Sequence, residues 1–267
     1  MKTTRIITIA NHKGGVAKTT TAFNLAKGLA RHNKKVLCID LDPQGNLTDL
    51  TGLNKDSEDI QTIAEIFINK NTDIKSLIYQ IDDIYLIASN NGLQQASENL
   101  LSQANGDYRL DIKIKDLINL YDYIIIDTPP STNNLSRNGI IASSEIIIPI
   151  QAEYIAEHGT ADFLNFFYNI NESLKEIDKK EKHINGALIT MIDKRTRLNR
   201  EIEKQIKEEL KAIGINTFNT TIARNTKIGE APTEAKSIYD YDITSQGAKD
   251  YEALTLEIMT QEDKGGQ

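Results

Sequence analysis

Residues 11–20 read Asn11-His12-Lys13-Gly14-Gly15-Val16-Ala17-Lys18-Thr19-Thr20, directly after the apolar run Ile6-Ile7-Thr8-Ile9-Ala10. Small residues between a strand and a helix start let several backbone N–H groups converge at the positive end of the helix dipole, which favours a polyphosphate. In such a loop Lys18 reaches the β and γ phosphates, the Thr19 hydroxyl ligates Mg²⁺, and Thr20 donates to the α phosphate. Against the pattern G-x-x-x-x-G-K-[ST], His12 stands at the first glycine and Ala17 at the second, and alanine tolerates a positive φ poorly. On this segment alone, a glycine-containing turn that binds nothing stays open.

Two further runs carry carboxylates suited to such a loop. Val36-Leu37-Cys38-Ile39-Asp40-Leu41-Asp42 ends an apolar strand in two acids that share a face. At the carboxyl end of a parallel strand they would lie beside the phosphate loop. Tyr123-Ile124-Ile125-Ile126-Asp127 delivers one more carboxylate, in the manner of a Walker B strand, where it would hold a Mg²⁺-bound water. Taken singly, either run could be strand-end solvation or a helix cap. Neither Ser/His/Asp nor metal-ligand spacing occurs elsewhere in the chain.

The elements that must position these residues follow from periodicity. Strands are expected at Ile6 to Ala10, Lys35 to Asp40, Ile84 to Ala88, Tyr123 to Asp127, Glu145 to Ile150 and Ile184 to Ile192, with an edge strand at Ile215 to Phe218. Helical patterns cover Thr19 to His32, Thr62 to Asn69, Gly92 to Ser102, Arg109 to Leu120, Ile155 to Ile177 and Leu198 to Ile213. Uninterrupted rather than alternating apolar strands predict an α/β fold with a mostly parallel sheet covered by helices on both faces. No linker or repeat divides the chain, so one domain is expected over residues 1–260, followed by a polar tail at 261–267.

The chain has 267 residues and a formal charge of −7, so DNA or an anionic membrane would repel the molecule as a whole and only a local basic patch could bind either. Its one cysteine, Cys38, can form no intramolecular disulfide and cannot hold an iron–sulfur or zinc site alone, and reads as a buried structural residue. No leader precedes the first strand and no apolar stretch approaches the ~20 residues needed to span a bilayer, so a cytoplasmic protein is expected.

Lys13-Gly14-Gly15-Val16-Ala17-Lys18-Thr19-Thr20 resembles the deviant Walker A box, K-G-G-x-x-K-T-[ST], of the ParA/MinD group of P-loop ATPases. Asp40-Leu41-Asp42-Pro43-Gln44-Gly45-Asn46 resembles the D-x-D-P-Q-G-N box of that group, and Asp127-Thr128-Pro129-Pro130 its D-T-P-P strand ending. Gln151 to Gly159 resembles the segment after the following strand. There Glu153 joins the dimer or nucleotide pocket or is a helix-start carboxylate, and His158 caps or packs. Met191 to Leu198 resembles the D-x-R-T-x-L element of ParA proteins, and Ile222 to Pro232 their I-P-R-N-x-x-x-x-E-A-P element, with Ala223 in place of proline. The resemblance runs from about Arg5 to about Tyr251.

It implies a P-loop NTPase fold and slow, partner-stimulated hydrolysis of ATP with Mg²⁺. The nucleotide would be held by Lys13, Gly14, Gly15, Val16, Ala17, Lys18, Thr19 and Thr20. The sequence does not fix the adenine contacts; the loops after Ile192 and around Arg224 to Pro232 are where they are sought, which adds Arg224 and Asn225 to the nucleotide site. Lys13, the signature lysine, would cross a homodimer interface to the phosphates of the other subunit. Lys13, Lys18, Asp42 and Asp127 would be catalytic, with Asp42 positioning the attacking water; Thr19, Asp40 and Asp127 would serve the metal.

Arg195 and Arg224 are expected to contact DNA without base reading, supported by Arg197, Arg200 and Lys227. A solvated charged helix is the competing reading, since Glu201, Glu203, Glu208 and Glu209 follow closely. The implied function is partition of a plasmid or chromosome by an ATP-sandwich dimer. That dimer binds the nucleoid non-specifically and is stimulated by a ParB-like adaptor. No helix-turn-helix segment precedes the loop, so site-specific DNA binding is not expected. A MinD-like regulator or a positioning ATPase for a non-DNA cargo is the alternative. The acidic segment Asp250 to Met259 reads instead as a core-docked helix, unlike a basic membrane-binding tail.

Overall fold

A computed structural model describes residues 4–100, 103, 105–152, 159–193 and 196–262. Seven strands form one sheet: β1 (Arg5–Ile9), β2 (Val36–Asp40), β3 (Ile78–Ile81), β4 (Ile84–Ile87), β5 (Tyr123–Asp127), β6 (Glu145–Gln151) and β7 (His183–Thr190). Their order is β3-β4-β2-β5-β1-β6-β7, parallel throughout except for the β3–β4 pair. The helices are α1 (Lys18–Arg31), α2 (Asn46–Leu50), α3 (Ala64–Ile68), α4 (Gly92–Leu100), α5 (Arg109–Ile114) and α6 (Asn134–Ala142). They continue with α7 (Gly159–Glu176), α8 (Arg197–Ala212), α9 (Thr226–Glu230), α10 (Ile238–Asp242) and α11 (Gln246–Glu262).

Successive side chains on a strand point to opposite faces, and here both faces are covered. On β5, Tyr123 and Ile125 pack with Leu25, Leu29 and Tyr251 from α1 and α11, whereas Ile124 and Ile126 pack with Leu93, Leu110 and Leu135 from α4, α5 and α6. A third cluster joins β6 and β7 to Phe163, Phe167 and Leu210 of α7 and α8. This is the expected α/β P-loop architecture of a mostly parallel sheet between helical layers.

Several elements differ from expectation. The edge strand at Ile215 to Phe218 is a single bridge, Ala187↔Thr217, because Gly214 turns the chain at φ +80 and Phe218 then tucks under Gly186. The helix at Arg109 to Leu120 stops at Ile114 and tightens into a 3₁₀ turn, Lys115–Leu117. The antiparallel strand β3 was not anticipated. It pairs with β4 across Asp82-Asp83, with Asp82 at φ +50, a two-residue hairpin turn without the usual glycine.

The sheet is tied at its amino end by Arg5, whose guanidinium donates two 2.7 Å bonds to Glu145 and one to the Ile258 carbonyl. Strand β1 is thereby locked to β6 and to helix α11, whose residues lie 140 and 253 positions away in sequence.

Candidate functional site

The register of the sheet assembles the chemistry. Asp127, the last residue of β5, has Ile9 of β1 and Asp40 of β2 as its Cα partners. The phosphate loop, the Asp40–Asp42 turn and Asp127 therefore leave one edge of three adjacent strands, at their carboxyl ends.

The loop is held from outside itself. The Asn11 side chain donates to the Pro149 carbonyl and accepts from the Lys13 amide, and the Thr190 hydroxyl of β7 donates to the Val16 carbonyl. Gly15 at φ +75 and Ala17 at φ 68 both adopt the left-handed region. Ala17 is the residue before α1, and no side chain caps that helix. The first amides of an α-helix have no intrahelical acceptor, so this uncapped end is an anion-binding surface.

A cavity of about 530 Å³ opens on this helix end. Gly14, Gly15 and residues 17–20 form one wall, and Asp42 with Asn46, Asp49 and Leu50 of α2 forms the opposite one. Pro130, Met191 and Pro232 close the remaining sides. Pro232 belongs to one of the two loops expected to face a base and Met191 lies just before the other, whereas Arg224 and Asn225 lie off the cavity wall, and Asn225 caps α9 through the Lys227 amide. Met191 sits at φ 56, a left-handed conformation rare for its residue type, where β7 ends.

Charge at the cavity is arranged around Lys18, which is on its wall, and Asp127, which is buried behind the wall and does not line it. Lys18 is 7% exposed, and its ammonium donates to the Lys13 carbonyl at 3.0 Å. Burial lowers its pKa, and the neighbouring Asp127 and Asp42 oppose that shift. Asp127 is fully buried and its pKa is raised well above the carboxylate range, first by burial and then by the charge of Asp40. Neither of its oxygens has a hydrogen bond of good geometry, although the Thr19 hydroxyl and Lys18 lie close enough to favour the ionised form. In the loop itself, His12 Nδ1 is also buried without a partner.

An orphaned buried carboxylate beside a threonine hydroxyl fits a hard cation that keeps most of its waters. Among the described residues no group of three or more His, Cys, Asp or Glu could hold a metal unaided. The donor set therefore suits an ion shared with a polyphosphate, with Thr19 and Asp127 as its protein side.

Asp40 is placed differently. One oxygen accepts from the Thr48 amide and hydroxyl at 2.9 and 2.8 Å, the other from the Asp42 amide at 3.0 Å. Burial pushes it up to about 6 despite these bonds. Asp42 uses one oxygen to accept from the Gln44 amide and lines the cavity. Lys55 spans the outside of this turn, bonding the Gln44 carbonyl and Asp49. Thr48, Ser89, Lys55 and Thr190 were not singled out from sequence. Only Thr48 had a local signal, lying two residues beyond the D-x-D-P-Q-G-N run.

The expected basic surface is partly described. Arg197 and Arg200 are exposed on the first turns of α8, and the Arg224 amide bonds the Ile192 carbonyl, which places Ile192 beside Ala223 and Arg224. Arg197 pairs with Glu201 and Lys227 with Glu230. Lys194 and Arg195 lie outside the described residues, as do Glu153 and His158. Among the described residues no helix is long and apolar enough to cross a membrane.

The sequence profile of the AAA domain matches residues 4–180. The chromosome partitioning protein ParA of Myxococcus xanthus is 35% identical over 96% of this chain and 88% of its own length. A Borrelia burgdorferi plasmid partition protein superposes with a TM-score of 0.74 at 30% identity, covering 97% of this chain and 99% of that one. A Mycobacterium smegmatis structure described as cobyrinic acid a,c-diamide synthase with bound ATP analogue and magnesium superposes at 0.82 and 28% identity, covering 98% and 97%. With the profile covering most of the chain and a ParA relative matched nearly end to end, the protein belongs to the ParA family of P-loop partition ATPases.

Proposed function

We propose that the protein is an ATP-driven DNA partition switch, acting as a homodimer that encloses two ATP–Mg²⁺. The observation that carries this reading is the orphaned Asp127 carboxylate buried beside Thr19 and Lys18, at the uncapped start of α1. Lys18 holds the β and γ phosphates, and the amides of residues 14–20 cradle them. Thr19 and Asp127 retain the metal, Asp127 through water. Bound magnesium neutralises charge that develops on the phosphates during transfer. The free oxygen of Asp42, on the cavity wall, orients the attacking water. Lys13 reaches the nucleotide of the second subunit, and Met191 and Pro232 flank the base.

In the ATP state the dimer doubles a modest basic surface built on Arg195, Arg197, Arg200, Arg224 and Lys227, enough for non-specific binding to the nucleoid in the cytoplasm. Hydrolysis is slow until a ParB-like adaptor on the cargo stimulates it, and then releases the dimer. Residues 1–260 act as one ATPase domain.

The test is DNA co-sedimentation with ATP, ADP and no nucleotide, alongside Arg195→Ala and Arg224→Ala. Binding confined to the ATP state and lost in both variants is expected. Equal binding in every state would sink the switch. The similarity to the protein described as a synthase favours one other reading, a ligase that spends ATP on an acid substrate. Its ATP consumption would follow that substrate and ignore DNA and adaptor.

A further inference from the structure

Asp42 is pinned on both sides of its backbone by residues the phosphate site does not itself require. Its amide donates to Asp40 at 3.0 Å, and its carbonyl accepts from the Ser89 hydroxyl at 2.7 Å. The two anchors are joined through Thr48, whose hydroxyl donates to Asp40 at 2.8 Å and accepts from the Ser89 amide at 3.0 Å. Asp40, Thr48 and Ser89 are fully buried and Asp42 nearly so. The chain of bonds closes a ring through the end of β2, helix α2 and the segment after β4, with each hydroxyl used as a donor. Such a ring fixes where Asp42 points without touching the cavity.

Asp40 also lacks the signature of a metal-facing carboxylate. Both its oxygens are engaged by protein donors, whereas neither oxygen of its sheet neighbour Asp127 is. We infer that Thr48 and Ser89 are positioning residues for hydrolysis, and that Asp40 acts through this ring, aiming Asp42, rather than as part of the metal site. This rests on the ATPase reading above, with Asp42 as the residue that orients water.

A shift of about 1 Å in a positioned group can cost on the order of 100-fold in rate. Thr48→Val keeps the shape and removes the hydroxyl. Its turnover number is expected to fall roughly 10- to 100-fold, with affinity for a fluorescent ATP analogue unchanged, and Thr48→Ser should restore most of the rate. Ser89→Ala, a smaller deletion, should lower turnover in the same direction and serves if Thr48→Val folds poorly. In the nucleotide-free protein, deuterium uptake by the 41–50 peptide should rise in Thr48→Val and Ser89→Ala and return to normal in Thr48→Ser. For Asp40→Asn, the magnesium concentration giving half-maximal rate should stay at the wild-type value while turnover drops.

Wild-type turnover in both Thr48→Val and Ser89→Ala would overturn the inference, as would unchanged deuterium uptake. A raised magnesium midpoint in Asp40→Asn would return Asp40 to the metal site and overturn it too. Asp42→Ala separates the two levels. If it hydrolyses ATP at the full rate, the underlying ATPase assignment of Asp42 has failed; if it is inactive while the Thr48 and Ser89 variants are normal, only the ring has.

Discussion

Asp127 and Asp40 are paired Cα to Cα across β5 and β2, yet their carboxylates are satisfied in opposite ways. Asp40 accepts three protein hydrogen bonds, and Asp127 accepts none of good geometry. Burial and then the charge of Asp40 work against ionising Asp127, and Thr19 and Lys18 offset this only in part, so the nucleotide-free site carries an electrostatic cost.

Asp127→Asn should therefore stabilise the protein without nucleotide by about 1 kcal/mol, roughly 2–4 °C in Tm for a chain of this size. The same variant should lose the rise in Tm that ATP with Mg²⁺ gives the wild type. Scanning calorimetry with and without ligand measures both. An unchanged or lower Tm in the absence of nucleotide would contradict the argument.

The pH dependence has a definite sign. Asp40 and Asp127 have folded-state pKa values above the unfolded value of 3.8, so the stability they allow is fully present below that value and is lost as pH rises through the folded values, about 6 for Asp40. Without nucleotide, the contribution of these groups should raise Tm as pH falls from about 7 to about 5, and the rise should shrink in Asp127→Asn. Thermal melts across that window decide it.

Ala17 stands at φ 68 in the position that opens α1. Glycine adopts this conformation without penalty, whereas an L side chain there costs about 1 kcal/mol. Ala17→Gly should raise Tm by roughly 2–4 °C and leave nucleotide affinity equal or tighter. Ala17→Val, branched at Cβ and on the cavity wall, should weaken binding of the ATP analogue. Weaker binding by the glycine variant would show that the methyl group contributes to the pocket.

Arg5→Ala removes a bidentate partner from Glu145, whose side chain is 8% exposed, and releases the Ile258 carbonyl. Leaving a buried carboxylate short of its cation typically costs about 3 kcal/mol, although Asn185 still donates to Glu145. A fall in Tm of roughly 6–12 °C is expected, with turnover intact well below the melt. A loss of turnover without a loss of stability would contradict a purely structural role.

Glu230, paired with Lys227, offsets its charge towards a phosphate, so Lys227 should matter less for DNA than Arg224. Arg224→Ala should reduce the slope of log affinity against log salt by about one for each DNA phosphate it no longer neutralises, and Lys227→Ala by less. Equal slopes for wild type and Arg224→Ala would move the DNA surface away from this strand end.

Much of the site could be read from sequence because its residues are consecutive. The run from Lys13 to Thr20 carries its own loop and helix start, and Asp40 and Asp127 each end an apolar strand, with Asp42 two residues beyond the first. The strands of the buried sheet were legible for the same reason, since covering both faces forces unbroken Ile, Leu and Val. The 3₁₀ turn after α5, the hairpin strand β3 and the loss of an edge strand near Phe218 were not. The edge strand gave way to packing of Phe218 against the distant Gly186, and the β3 hairpin turns at Asp82-Asp83 without the glycine that would have signalled it.

What the linear order of residues specified was the chemistry available: a lysine-bearing phosphate loop, two carboxylates on one strand end and a third on another. It could not say which carboxylate the protein's own donors would satisfy. That was settled by the register placing Asp127 between Ile9 and Asp40, and by Thr48, itself held by Ser89, arriving from α2 to occupy an oxygen of Asp40. The physical reason is that hydrogen-bond satisfaction in a buried site depends on every donor within about 3 Å, and those donors are neighbours in space before they are neighbours in sequence.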